Sequence, residues 1–463
     1  MSELIAAIAT PPGPGGVGIL RLSGPGAAQA AAHIFQPLGK TPLSDAPDRQ
    51  LLYGRVFDQA GELLDTGLAF VSRAPHSYTG EETAEIQCHG SPVVLSLVLE
   101  ALCAAGARLA RPGEFTQRAF LNGKLDLTQA EAVIDLIDAE TPAAARQAAG
   151  QLNGALSRQI DNIYSALTDL MAHFCAVLDY PDEDIDPFQA EQMGQILARQ
   201  EAALQALLAT SRRGTLLHQG ITCVLIGRPN AGKSSLLNAL AGYERAIVTN
   251  IPGTTRDTVE TKVTLGGYLF RLVDTAGLRD SDDPIEQLGV ARSRQALAEA
   301  DLVLAVCDGT QPLREEEYDL LRQALAQADT ILLANKRDLP DFTLPQPAAN
   351  DAPNTLTVVP LSAKTGDGLD TLETTLAQRA ETLLPQAAQS AAGELLTNQR
   401  QTQAAQRALD GVTRAKDALD LGMTPDALLT DVEAALEALG ELTGRTVRED
   451  ITARIFSRFC VGK

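Results

Sequence analysis

None of the six cysteines (Cys88, Cys103, Cys175, Cys223, Cys307 and Cys460) forms a C-x-x-C pair. The chain therefore offers neither a zinc knuckle nor a disulfide framework, and its cysteine usage fits a reducing compartment. Positive charge is scarce, with 38 Lys and Arg against 59 Asp and Glu, a formal net charge of −21. That balance excludes a protein that coats nucleic acid generally, while leaving room for one local basic groove. The opening stretch MSELIAAIATPPGPGG lacks the basic start of a signal peptide. No apolar run approaches the ~20 residues that span a bilayer. These absences make a soluble cytoplasmic protein without a membrane role the expectation. The chain has 463 residues, 45% apolar and 21% charged. That length suggests about three domains, and the composition argues against bulk disorder.

Four regions differ in texture. Residues 1–120 carry short apolar runs at 17–22, 66–71 and 85–88, separated by Gly and Pro turns, with a helical stretch at 91–105. That is an α+β pattern. Residues 121–219 place apolar side chains three and four apart, at 129–138, 147–180 and 188–217, which predicts packed helices. In residues 220–383, apolar strands at 222–227, 268–274, 302–308, 330–335 and 355–361 alternate with helical segments. Such alternation predicts a parallel sheet covered on both faces. Residues 384–463 return to helical periodicity. The expectation is a multidomain α/β plus α chain, with the α/β unit inserted into one discontinuous helical domain.

The strongest chemical signal is Gly227-Arg228-Pro229-Asn230-Ala231-Gly232-Lys233-Ser234, between an apolar strand and a helix-like run. That context suits a phosphate-binding loop: glycine permits the tight path, and backbone N–H groups with the helix N-terminus face the phosphates. Lys233 brings charge to the outer phosphates, the Ser234 hydroxyl can bind Mg²⁺, and Ser235, opening the helix-like run, is a further candidate nucleotide contact. About twenty residues on, Gly253-Thr254-Thr255 lies in a polar loop that with Thr249, Asn250, Ile251 and Pro252 forms the candidate first switch. Thr255 would offer Mg²⁺ a second hydroxyl. Asp274-Thr275-Ala276-Gly277 ends a strand, with Asp274 placed to hold Mg²⁺ through water and Gly277 to bring an amide to the γ-phosphate.

Asn335-Lys336-Arg337-Asp338 ends another strand. The Asp338 carboxylate can accept from the guanine N1–H and 2-amino groups, a donor pair adenine lacks. Asn335 can engage the other edge, and the Lys336 stem can cover the base. Ser362-Ala363-Lys364 follows the last strand and can bring a backbone amide to the base oxygen. Each short motif alone is weak. Five in order, each after a strand, assign guanine over adenine. One expected part is missing: Leu278 follows Gly277, where Ras-like proteins orient the attacking water with glutamine, so another group must do so.

The segments TPPGPGGVGILRLSG, SYTGEETAEIQCHG, RPGEFTQRAFLNGKLDL, GRPNAGKSSLLNAL and the end FCVGK resemble the MnmE (TrmE) family of tRNA-modification GTPases along nearly the whole chain. The resemblance implies a Ras-like P-loop G domain activated by K⁺-dependent dimerisation, without an external arginine finger. Asn230, Thr249, Ile251 and Thr254 would ligate K⁺, which offsets transition-state charge, and Glu286 would orient water through a bridging water. From the residues alone, Asp282, Asp283 and Glu286 also read as a solvated acidic loop. Pro252 departs from several relatives, which carry a small residue there, and leaves the carbonyl of Ile251 in place.

For residues 1–120 the resemblance implies a folate-binding and dimerisation domain similar to aminomethyltransferases. Arg21, Glu85, Lys124 and Lys463 would contact a tetrahydrofolate derivative carrying one carbon. Composition alone favours turns in a small β-rich domain, with these groups as surface charges. Cys460 sits fourth from the end, but Gly462-Lys463 make a poor prenylation box. A buried helix-end cysteine is the plain alternative to the implied catalytic role near folate.

The implied function is that of a homodimeric GTPase. With the FAD-containing partner MnmG (GidA), it uses a tetrahydrofolate carbon to build an aminomethyl-type group on carbon 5 of the tRNA wobble uridine. Much of the tRNA contact would fall to the partner or to a local patch, given the acidic balance. The rivals are a ribosome-assembly GTPase without covalent chemistry and a folate-dependent aminomethyltransferase with a regulatory GTPase attached.

Overall fold

The computed structural model describes residues 3–179, 190–242, 248–249, 260–274, 296–345, 356–384, 392–423, 425–446, 455–456, 459–460 and 462. The chain divides into two compact units. One comprises Met1–Ile134, Gln151–Glu201 and Ala404–Lys463, the other Asp135–Gly150 and Ala202–Gln403.

The first unit holds a seven-stranded sheet built from β1 (Ile5–Ile8), β2 (Gly15–Ser23), β3 (Phe35–Pro37), β4 (Leu52–Phe57), β5 (Leu63–Ser72), β6 (Thr83–Gly90) and β7 (Arg108–Leu109). Their order is β3-β4-β5-β6-β2-β1-β7, antiparallel throughout except where β7 pairs with β1. Strand alternation decides the faces. Leu20, Leu22, Ala69, Val71, Ala84 and Ile86 are buried in one cluster with residues of the helices Ala27–Ile34 and Pro92–Ala104. The intervening positions put Arg21 opposite Glu85 across β2 and β6.

The helix Ala155–Asp179 lies wholly within this unit, and the helix before it in the chain, Pro142–Leu152, lies mostly in the second. The apolar period over 147–180 predicts one continuous run, yet the structure breaks it into Pro142–Leu152 and Ala155–Asp179. Gly154, at φ 79°, adopts the left-handed backbone that glycine tolerates and turns the chain between them. Periodicity alone passes over such a break, because a glycine disturbs no apolar position.

The second unit contains β8 (Ile221–Ile226), β9 (Val248–Thr249), β10 (Glu260–Leu265), β11 (Tyr268–Asp274), β12 (Leu302–Asp308), β13 (Asp329–Asn335) and β14 (Thr357–Pro360), in the order β14-β13-β12-β8-β11-β10-β9. The first five in that order run parallel, and β10 and β9 add antiparallel. The parallel strands lie within the apolar runs read from the sequence, or within a residue of them. Both faces are covered, which explains why those runs are continuous rather than alternating. Cys223, Leu225, Leu304, Val306, Ile331 and Leu333 enter one core cluster, and Val224, Ile226, Val303, Ala305 and Leu332 another. The carboxyl ends of parallel strands share one edge, the usual place for a ligand crevice. No helix among the described residues is long and apolar enough to cross a membrane.

Gly67 marks a close crossing in the first sheet, where an added Cβ would lie 2.0 Å from the carbonyl oxygen of Gln87. That oxygen belongs to β6 and cannot move without breaking the ladder. Gly67→Ala is expected to destabilise the protein by about 1–3 kcal/mol, read as a lower midpoint in chemical denaturation.

Candidate functional site

The nucleotide loop begins where β8 ends. Gly227 has φ 144°, Asn230 63° and Gly232 101°, so the loop turns through backbone that side chains resist. Space is tight as well. A Cβ on Gly227 would sit 2.2 Å from the Val306 carbonyl oxygen, and one on Gly232 would sit 2.1 Å from Asn335 Nδ2. The helix Lys233–Ala241 starts directly after Gly232, aiming its unsatisfied N–H groups and positive dipole end at the loop. Lys233 is 6% exposed, and its Nζ donates to the carbonyls of Gly227 (2.8 Å) and Arg228 (2.9 Å). Its charge is thus held over the loop that would receive the phosphates.

Ser234 Oγ lies 3.4 Å from Asp274 Oδ2, at the end of β11. A hydroxyl and a carboxylate at this spacing are hard oxygen donors and fit Mg²⁺, which keeps several waters of its own. Ala231 and Ser235 lie in the same loop and first helical turn, Ala231 buried and Ser235 exposed.

The other end of the crevice is built from β13 and β14. Asn335 is buried, donating from Nδ2 to the Ala231 carbonyl (2.8 Å) and accepting at Oδ1 from the Ala363 N–H (3.0 Å). One carboxamide thus ties the phosphate loop to the Ser362-Ala363-Lys364 turn. Ser362 Oγ donates to Asp338 Oδ1 at 2.7 Å, which fixes the carboxylate expected to read guanine. Lys336 has φ 69°, left-handed backbone costing roughly 1–2 kcal/mol for a non-glycine residue, and its Nζ is 2.6 Å from Asp308 Oδ2.

The structure therefore brings together Asn230–Ser235, Asp274, Asn335, Lys336, Asp338 and Ser362–Lys364 along one sheet edge. Thr249 lies on β9, paired with Lys262. Asn250, Ile251, Pro252, Gly253, Thr254, Thr255, Thr275, Ala276, Gly277 and Glu286 lie outside the described residues.

A second cluster forms on the first sheet. Arg21 Nε donates to Glu85 Oε1 at 2.7 Å, with both side chains largely buried. The Arg21 guanidinium lies 5.5 Å from the Tyr78 ring centroid and 5.9 Å from that of Phe115, within cation–π range. Burial pushes the Tyr78 hydroxyl pKa up, against a hydrogen bond to Thr116 that pulls it down. Lys124 is exposed, and its stem lies near Gly80 of the turn that follows Tyr78. The chain's end also reaches this unit. The Gly113 N–H donates to the Cys460 carbonyl at 3.2 Å, and a Cβ on Gly462 would meet the Ile8 carbonyl at 2.4 Å. Ile8 follows Ala7, the register partner of Arg21. Cys460 is exposed, and Lys463 lies outside the described residues.

Beside this cluster is a charged hub that sequence reasoning missed. Glu114, 3% exposed, accepts from Arg108 Nη2 (2.8 Å), the Arg111 N–H (2.8 Å) and Arg118 Nη2 (3.1 Å). Arg118 donates onward to Glu81 Oε2 (2.8 Å) and the Ser23 carbonyl (3.2 Å). The signal in RPGEF was present: a helix's first acidic residue just after a left-handed Gly113. Its partners lie too far along the chain to be guessed. Three other cysteines are buried. Desolvation raises the thiol pKa of Cys88 and Cys307 to about 12 and pushes that of Cys223 up as well. Among the described residues no cluster of His, Cys, Asp and Glu could hold a metal by itself.

The family described as "MnmE helical domain" matches residues 127–460, and "GTP-binding protein TrmE N-terminus" matches 4–124. The tRNA modification GTPase MnmE of Chloroflexus aurantiacus is 46% identical over 464 residues, covering 100% of both chains. That of Thermus thermophilus is also 46% identical with 100% of both covered. That of Syntrophotalea carbinolica is 42% identical, over 100% of this chain and 99% of its own. Among solved structures, the G domain of the T. maritima FeoB iron transporter is 31% identical over 35% of this chain and 98% of its own, with a TM-score of 0.25. At that score the assignment rests on the full-length relatives. Fold and loop together define a P-loop protein of the GTP-binding class. The chain belongs to the MnmE (TrmE) family of tRNA-modification GTPases.

Burial alone would raise the Glu114 pKa, but its bonds from Arg108, Arg111 and Arg118 outweigh that and hold the carboxyl at about 2, below its ordinary 4.5. A depressed folded-state pKa contributes stability above the unfolded value and loses it as pH falls through the folded one. The stability gap between wild type and Glu114→Gln should therefore be widest near neutrality and close between about pH 4.5 and pH 2. Thermal denaturation of both proteins across that range checks it. Glu114→Ala at neutral pH should cost about 3 kcal/mol, as removal of one partner from a buried ion pair does.

Proposed function

We propose that this chain hydrolyses GTP as one step in modifying carbon 5 of the tRNA wobble uridine, together with an FAD-containing partner and a tetrahydrofolate-borne carbon. The observation that carries the guanine half of this reading is the linked arrangement of Asn335 and Asp338. The carboxamide joins the phosphate loop to the base-side turn, and Ser362 fixes the carboxylate. Asp338 would accept two hydrogen bonds from guanine and leave adenine unmatched.

Hydrolysis needs stabilisation of charge on the transferred phosphoryl group. Lys233, the helix N-terminus and the Ser234–Asp274 pair supply positive charge and Mg²⁺ ligands from this chain. A K⁺ ion, when bound, would supply the further positive charge that an arginine finger gives elsewhere. Asn230, in the phosphate loop, would ligate such an ion, and Thr249, Ile251 and Thr254 would complete the shell. Glu286 would orient the attacking water through a second water, since Leu278 has no group that can. The reading includes a homodimer, in which two G domains pair across their nucleotide faces.

The Arg21–Glu85 pair, flanked by Tyr78 and Phe115, supports the folate half. Glu85 can accept from pterin N–H groups, Arg21 and Lys124 can pair with carboxylate or polar edges, and aromatic faces suit a planar ring. Bound there, the cofactor would supply the one-carbon unit. Cys460, exposed and tied to Gly113, and Lys463 would reach the same region. Most tRNA contact would fall to the MnmG partner or a local patch, consistent with a net charge of −21, and the work would be cytoplasmic.

Glu286→Ala should nearly abolish GTP hydrolysis while GTP affinity stays near wild type, and K⁺ should accelerate turnover where Na⁺ does not. Equal loss of affinity, or equal rates in the two salts, would remove these roles. Nucleoside analysis of tRNA from a deletion strain should show the wobble modification missing. Complementation with Cys460→Ser should leave it largely missing, and full restoration would assign Cys460 to packing.

A further inference from the structure

The base side of the crevice contains a charged contact that the reading above does not use. Asp308 ends β12 and stands opposite Asn335 in the parallel register with β13. Lys336 is the next residue, and its Nζ lies 2.6 Å from Asp308 Oδ2. The other carboxylate oxygen, Oδ1, accepts from the Thr310 N–H at 3.0 Å and the Thr310 hydroxyl at 2.7 Å. The backbone that carries this carboxylate is locked to the same loop. The Gly309 N–H donates to the Asn335 carbonyl at 2.9 Å, and the Thr343 N–H donates to the Gly309 carbonyl at 2.8 Å. A Cβ on Gly309 would lie 2.3 Å from the Phe342 ring, so the turn has little room to shift. Burial raises the Asp308 pKa, but the bonds from Lys336 and Thr310 prevail and lower it, so the carboxylate is charged at neutral pH.

We propose that Asp308 is a positioning residue for the guanine nucleotide, acting through Lys336. A lysine side chain has four rotatable bonds, and its stem can cover a base face only if the chain is held extended along it. Left to solvent, the ammonium would sample many rotamers, and ordering it on binding would oppose affinity. Asp308 removes that cost in advance by anchoring the ammonium to a carboxylate that is itself fixed by Thr310. The left-handed backbone at Lys336 sets where the stem begins, and Asp308 sets where it ends. The contact thus makes a preformed shelf beside Asp338. The anchor adds nothing to the choice between guanine and adenine, which belongs to Asp338, and governs how long either GTP or GDP stays bound.

This inference rests on the reading of Asn335–Asp338 as the base site, and the test separates the two. The full-length protein is mixed with a fluorescent GDP analogue, and its release is followed by stopped flow after chasing with unlabelled GDP or ATP. Wild type should release to GDP and ignore ATP; displacement by ATP would overturn the base-site reading and this inference with it. Given guanine selectivity, Asp308→Asn should release the analogue about 5-fold faster and Lys336→Met about 10-fold faster, the latter about 1.4 kcal/mol. The double variant should release no faster than Lys336→Met alone, because the carboxylate acts only through the ammonium. Asp308→Glu should recover part of the slow release, since it restores the charge. Release by Asp308→Asn at the wild-type rate would overturn the proposal. So would multiplicative effects in the double variant, which would mark Asp308 as a packing residue of the turn.

Discussion

The crevice of the second unit depends on the side chain of Asn335. Its amide nitrogen and oxygen take different partners, one in the phosphate loop and one in the turn after β14. Because the group is buried, losing either partner would leave a polar atom without water, which costs about 1–3 kcal/mol. Phosphate and base ends are therefore held at a fixed separation before any nucleotide arrives. The positive φ values at Asn230 and Lys336 are strains that this bracing sustains, and strain of this kind collects where a ligand is gripped.

The first unit solves a different problem. Its sheet has one apolar face covered by two helices, and the other carries an ion pair at its middle. Arg21 and Glu85 would be expensive to bury separately, but facing each other across adjacent strands they satisfy one another. The Glu114 hub ties the RPGEF turn, which carries Phe115, to the Ser77–Glu82 region, which carries Tyr78, through Arg118 and Glu81; both rings lie near the Arg21 guanidinium. The rigidity of one cluster supplies the geometry of the other.

The nucleotide side was legible from the chain because its residues are local. A loop of eight residues between strand and helix, and a tetrapeptide at a strand end, carry their chemistry in a few consecutive positions. Gly227 and Gly232 could be read as needed for a tight path, although the atoms they avoid, on Val306 and Asn335, could not. Glu114 and Arg108 were not legible, since a hub's value lies in partners that only the sheet brings near. Nor was the tie between Lys336 and Asp308, which are separated by a whole crossover and meet only because β12 and β13 run in parallel register. Gly154 escaped for the opposite reason: the apolar period continues across it, and only backbone handedness reveals the turn.

The distribution of thiols has a practical consequence for spectroscopy. Cys88, Cys223 and Cys307 are buried with their thiols held protonated, so alkylating dyes will find almost no thiolate there at neutral pH. Cys175 and Cys460 are exposed and Cys103 is half-covered. Replacing Cys103 and Cys175 with serine leaves a single addressable sulfur beside the Gly113 turn. A fluorophore there would report on the surroundings of that turn without a foreign cysteine having to be engineered in.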